Sequence, residues 1–120
     1  MKPKKKSFWL SYDLGLKGNY QALFEFLDNH EAIECGNGLA YFTYGNKDGL
    51  DSDKLVERLK TELTEIISPT ANDRIYAIWL SDTDLVKKAC GRFLFGKRKS
   101  TPWTGYGNKN NNDKTNDEAI

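Results

Sequence analysis

One histidine, one methionine and two cysteines are all that this 120-residue chain offers as soft or imidazole ligands. A structural zinc site needs about four such ligands, and a disulfide-stapled secreted domain needs several cysteine pairs. Cys35 and Cys90 therefore read as small buried residues in a reducing, cytoplasmic setting. Charge of one sign is also missing: 18 Lys and Arg stand against 17 Asp and Glu. The molecule as a whole then has no strong pull on polyanions, and any basic surface must be local. No apolar run approaches the roughly 20 residues that cross a bilayer. The opening "MKPKKKSFWLSYDLGL" lacks the uninterrupted apolar stretch and small-residue cleavage site of a signal peptide. A soluble protein with no membrane partner is expected. Phosphate-binding Walker and dinucleotide loops, nucleophile motifs and zinc spacings are absent as well, which removes support for the common enzyme classes.

What is present is a core. Three tryptophans, six tyrosines and six phenylalanines in 120 residues supply large apolar areas to one domain. After a basic lead-in at residues 1–6, Phe8–Tyr12 reads as an aromatic strand. Asn19 can cap a helix in which Tyr20, Leu23, Phe24 and Leu27 recur at helical spacing, ending at His30, where a cation complements the helix dipole. "EAIEC" and "LAYFTY" flank "GNG" and read as a hairpin. Asp51 or Ser52 caps a second helix with Leu55, Leu59, Leu63 and Ile66 as its stripe, stopped by "SPTAND". "RIYAIWL" is a further strand. The order βαββαβ predicts an α+β, ferredoxin-like domain over residues 7–107: a four-stranded antiparallel sheet with two helices on one face, first and third strands central, second and fourth outside. The apolar residues Phe93, Leu94, Phe95, Trp103 and Tyr106 call for burial, so a fifth strand and a packed extension are expected beyond it. Residues 108–120, nearly devoid of apolar side chains, read as disordered.

Two helices cover one face of such a sheet. The last strand of the βαββαβ unit alternates Ile75, Ala77 and Trp79 with Tyr76, Ile78 and Leu80, so neither of its faces is polar. Something else must meet the second face: the extension, a second copy or a ligand.

Three candidate features accompany that face. Asp13 closes the first strand, where a carboxylate can hold Mg²⁺, alone or with a second copy across a dimer axis, or can cap the following loop. Asp73 and Arg74 can both approach it, and an ion pair with Arg74 would explain the neighbourhood without metal. "GLKG", Gly15–Gly18, precedes a helix N-terminus, so Lys17 and free N–H groups can hold a phosphate; an ordinary loop is the other reading. The clamp of KH domains has this spelling but joins two helices, so that reading fails. From Val86 to Tyr106 the chain carries Lys87, Lys88, Arg92, Lys97, Arg98 and Lys99 without one acid, interleaved with Phe93, Phe95, Trp103 and Tyr106. Cations that track phosphates beside rings that stack bases are the composition of a nucleic-acid surface; a solvated basic turn with core aromatics is the alternative.

A hydrophobic first strand ending in Tyr12-Asp13 ("FWLSYDL"), a loop, a helix of pattern "YQALFEFL" and a βαββαβ order together resemble the Cas2 superfamily, which includes VapD-like toxins and Cas2-like proteins. The likeness spans about Phe8 to Leu80 by element order, and Ser11-Tyr12-Asp13 by letters. It implies a homodimer of ferredoxin-like subunits with Asp13 in the family's acidic position near the dimer axis. Some members are metal-dependent nucleases and others are non-catalytic DNA-binding scaffolds. The expectation is a small nucleic-acid-binding homodimer. Lys17, Arg92, Lys97, Arg98, Lys99, Trp103 and Tyr106 would contact the polyanion, and Asp13 would be the catalytic and Mg²⁺-binding residue of an endonuclease. The alternative is a non-enzymatic protein-interaction or small-ligand module that uses the open sheet face.

Overall fold

A computed structural model describes residues 5–81 and 85–107. The expected disordered tail and most of the basic lead-in lie outside the described residues. Strand β1 (Lys5–Asp13) leads to helix α1 (Tyr20–Asn29), the hairpin of β2 (Ile33–Gly36) and β3 (Leu39–Gly45), helix α2 (Ser52–Ile67), β4 (Arg74–Leu80) and β5 (Ala89–Phe95). The five strands form one antiparallel sheet in the order β2-β3-β1-β4-β5. The chain is thus α+β, with two helices and five strands, and its arrangement is compatible with a ferredoxin-like fold. Two expectations are corrected. The sheet has five strands, so β4 is interior because β5 pairs along its outer edge. In addition, β1 begins at Lys5, since Gly45 and Tyr44 of β3 supply partners for Lys5 and Lys6.

Period-two alternation decides which side chains face the helices. Phe8 and Leu10 of β1, Ala40, Phe42 and Tyr44 of β3, and Ile75, Ala77 and Trp79 of β4 are all buried. They form one apolar cluster with Leu23, Phe26 and Leu27 of α1 and Leu55, Val56, Leu59, Leu63 and Ile67 of α2. Both helices open on side-chain caps: Asn19 accepts from the Ala22 amide and Asp51 from the Lys54 amide. In α1 the buried stripe runs through Phe26, whereas Phe24 is half exposed and packs edge-on against Tyr12. Tyr44 donates from its hydroxyl to Glu62, and burial followed by that acidic partner pushes its pKa up to about 12.

Strand β5 closes against β4 through a bulge. Ile75 pairs with Phe95 and Tyr76 with Phe93, leaving Leu94 as the extra residue, and both Leu94 and Phe95 are buried. Trp103 and Tyr106, expected in the core, are 72% and 87% exposed. The segment that carries them is a succession of turns whose backbone bonds are local, Thr104 to Thr101 and Tyr106 to Trp103. Cys35 is exposed on the edge strand β2 and Cys90 is half buried, so neither is the buried residue expected.

Candidate nucleic-acid interface

The loop after Asp13 is shaped by a buried acid. The Asp73 carboxylate, 1% exposed, accepts the Gly15 amide at 2.7 Å through Oδ1 and the Thr70 amide at 2.7 Å through Oδ2. It thereby ties the β1–α1 loop to the loop before β4. Gly15 and Gly18 are glycines because of this close packing. A Cβ on Gly15 would lie 2.8 Å from that of Asn72, and one on Gly18 would lie 2.5 Å from that of Leu14 and 2.9 Å from Asp73 Oδ1. The amides of Gly15, Gly18, Tyr20 and Ala22 are all bonded within the protein. The spelling "GLKG" therefore serves loop packing, and Lys17 stands exposed on a loop whose donors are largely committed. Tyr12, at the end of β1, has its pKa raised by burial and then by the charge of Glu34 and by Tyr20.

Asp13 is 58% exposed and meets two cations: Arg74 Nη2 at 3.4 Å and Lys99 Nζ at 3.7 Å, both on Oδ2. The ion pair with Arg74 follows from register, because Asp13 and Arg74 are directly opposite in the β1–β4 ladder. Lys99 arrives from the end of the edge strand β5 by way of Gly96. At φ +73°, with a would-be Cβ 2.6 Å from the Asp73 carbonyl and 2.7 Å from Arg74 Cγ, Gly96 lets the chain leave β5 across the stem of Arg74. The turn brings Lys97, Arg98 and Lys99 to a cleft of about 700 Å³ that Asp13, Leu14, Gly15 and Leu16 also line. A second cleft of about 240 Å³ shares Asp13, Arg74 and Arg98 with the first and adds Ser11, Tyr76 and Phe93. Neither Lys97 nor Arg98 pairs with a carboxylate among the described residues.

The smaller cleft opens onto the helix-free face of the sheet. Trp9 faces Tyr41 with ring centroids 5.0 Å apart, and Tyr76 meets Phe93 edge-on at 4.8 Å. All four rings are only partly buried. Gly91 makes room for Tyr76, since a Cβ there would lie 2.6 Å from Tyr76 Cζ. The guanidinium of Arg98 stands 5.9 Å from the Tyr76 centroid and 5.4 Å from that of Phe93, within cation–π range. Arg98 thus joins the basic cleft to the aromatic face.

Of the residues named from sequence, the fold brings Asp13, Lys97, Arg98 and Lys99 together. Arg74, expected near Asp13, and Phe93, expected beside the basic run, join them, and the fold adds Tyr76 and, through the open face, Trp9 and Tyr41. It does not bring Arg92 to them: that guanidinium turns to the helix side, where it pairs with Asp53 at 2.9 Å and Glu57 at 3.1 Å and lies over Trp79. Trp103, Tyr106 and Lys17 line neither cleft. The environment of Asp13 also bears on the expected Mg²⁺. That ion takes oxygen ligands, with one or two protein carboxylates and several waters. An Asp13 oxygen flanked by two cationic nitrogens does not fit it in this arrangement.

These features define an α+β protein with a basic cleft continuous with an aromatic sheet face. No protein-family model, curated protein or solved structure matches the chain.

Proposed function

We propose that this chain is a ferredoxin-like, Cas2-like nucleic-acid-binding protein that holds a single strand across the Lys97–Lys99 turn and the aromatic face beside it. The observation that carries this reading is Arg98, a cation without a carboxylate partner among the described residues, lying over Tyr76 and Phe93. Phosphates would follow Lys97, Arg98 and Lys99, and unpaired bases would stack on Tyr76, Phe93 and the Trp9–Tyr41 pair, each stacked base contributing on the order of 1–3 kcal/mol. A duplex hides the faces of its bases, so single strands are the favoured substrate. Binding is the activity proposed; no hydrolytic step is assigned to Asp13, because the groups around it neutralise it.

Asp13→Asn distinguishes the two roles of that residue. On the binding reading the variant keeps its fold and binds a single-stranded oligonucleotide severalfold more tightly at low salt, because Arg74 and Lys99 lose a competing anion. In an endonuclease that depends on Asp13, magnesium-dependent cleavage by the wild type would disappear in Asp13→Asn while affinity stayed level. Gel-shift and cleavage assays on one preparation read both.

A second reading is favoured by Ile78 and Leu80, which share the open face and offer nothing to phosphates. There the face is covered by a second copy or a protein partner. A mass of twice 13.7 kDa by light scattering, with Trp9 shielded from a soluble quencher and no strand bound at low salt, would favour it.

A further inference from the structure

We infer that the larger cleft binds a phosphomonoester dianion, the group presented by the phosphorylated end of a strand or by a free mononucleotide. The inference deepens the nucleic-acid reading and rests on it for the path of the strand.

Three observations carry it. The first is charge. Arg74, Lys97, Arg98 and Lys99 line one cavity of about 700 Å³ that holds Asp13 as its single carboxylate. An internal phosphodiester carries one negative charge and is served by cations strung along a groove. A phosphomonoester carries close to two at neutral pH, with three acceptor oxygens, and suits cations that converge.

The second is a donor that the protein leaves unpaired. Arg74 Nε is buried and has no hydrogen-bond partner, while Nη2 of the same guanidinium reaches Asp13 at only 3.4 Å. Guanidinium forks pair two oxygens of one phosphate through parallel N–H bonds. A phosphate entering from the cleft would displace the long contact to Asp13 and draw the fork around, so that Nε gains the acceptor it lacks. Asp13, facing Arg74 and Lys99, holds both cations at the mouth until that exchange.

The third is continuity. The larger cleft has the capacity of a nucleotide-sized site. It shares Asp13, Arg74 and Arg98 with the smaller one, which continues to Tyr76 and Phe93. A strand whose terminal phosphate sits between Arg74 and Lys97 therefore passes Arg98 and lays its next bases on the rings.

The test uses the full chain and a single-stranded oligonucleotide of about ten nucleotides. It carries a 5′-phosphate, a 3′-phosphate or hydroxyls at both ends, and adenosine monophosphate serves as competitor. One phosphorylated form is expected to bind about tenfold more tightly than the hydroxyl-ended strand. That preference should vanish in Arg74→Gln and in Lys97→Gln and survive in Lys54→Gln on α2. Lys97 is exposed, so its variant keeps the test valid if Arg74→Gln misfolds. Displacement of the phosphorylated end by adenosine monophosphate at matching concentration assigns the dianion to a free nucleotide; displacement only in large excess assigns it to a strand end. Equal affinity for all three strands overturns the inference and leaves the nucleic-acid reading standing. Binding of the mononucleotide alone, abolished by Lys97→Gln, supports the dianion site and removes the nucleic-acid reading. Binding of no probe overturns both.

Discussion

Replacing Lys97, Arg98 and Lys99 together by glutamine should weaken binding of a single-stranded oligonucleotide by about 100-fold at low salt. The three cations occupy one turn held by Gly96, and two of them have no carboxylate partner among the described residues. Their positive charge is thus available to a polyanion. Each cation that neutralises a phosphate releases condensed counterions, so the dependence of log affinity on log salt steepens by about 0.7 per contact for a single strand. The triple variant should therefore bind with a slope shallower by about 2. The comparison Arg92→Gln separates a specific site from bulk charge. Arg92 lies in the same basic run, but its charge is spent on Asp53 and Glu57, so its removal should leave the slope unchanged. Equal losses from both variants would mean that net charge governs binding and that the cleft does not.

Asp73→Ala should destabilise the protein by about 3 kcal/mol, because it removes the buried carboxylate that accepts both the Gly15 and the Thr70 amides. For a domain of this size that lowers Tm by on the order of 15 °C, which scanning calorimetry would read directly. Stability is the first consequence and binding the second. Asp73 fixes the loop that carries Leu14 and Leu16 along one wall of the larger cleft, while its own carbonyl is what a Cβ on Gly96 would strike. A folded Asp73→Asn protein, which keeps an acceptor for one of the two amides, should show an intermediate Tm. If Asp73→Ala melted within about 2 °C of the wild type, water would be replacing the carboxylate and the loop would owe its shape to the glycines alone.

How much of this was legible beforehand depends on how local each determinant is. β4 reads off "RIYAIWL" without error because its two turn-bounded ends and its short continuous apolar run need no tertiary context. The α2 positions Leu55, Leu59 and Leu63 follow in the same way; of the two caps the sequence allows, Asp51 and Ser52, the fold uses Asp51, and the last turn buries Ile67 while Ile66 stays 39% exposed. The apolar second face was also legible, since Tyr76 and Ile78 must point away from Ile75 and Ala77. The fate of Arg92 could have been read by the same alternation. If Phe93 joins Tyr76 on the open face, Arg92 must face the helices, where Asp53 and Glu57 lie one helical turn apart. Charge density along the chain hid this, because a run of cations says nothing about which face each one takes.

Other features needed the fold. The Asp13–Arg74 pair, 61 residues apart, was within reach of the expected topology, but the arrival of Lys99 on the same carboxylate oxygen was not. The identity of Gly96 as the pivot that sends Lys99 back to Asp13 depends on the Asp73 carbonyl, which no local pattern reveals. The spelling "GLKG" is ambiguous for a related reason. Glycines before a helix suit both a phosphate cradle and a tight contact, and here Asp73 supplies the contact. The exposure of Trp103 and Tyr106 runs against their hydrophobicity, which favours burial but cannot supply a surface to be buried against.

The continuity of the basic cleft with the aromatic face is the claim on which the functional account rests. An NMR titration of ¹⁵N-labelled protein with a single-stranded oligonucleotide at low salt tests it most directly. The expected result is one contiguous set of shifted amides, running from Gly96–Lys99 and Arg74 through Ser11, Tyr76 and Phe93 to Trp9 and Tyr41, and fading together as salt is raised. Shifts confined to α1 and α2, or a perturbed Lys97–Lys99 turn beside an untouched Tyr76 and Phe93, would contradict it.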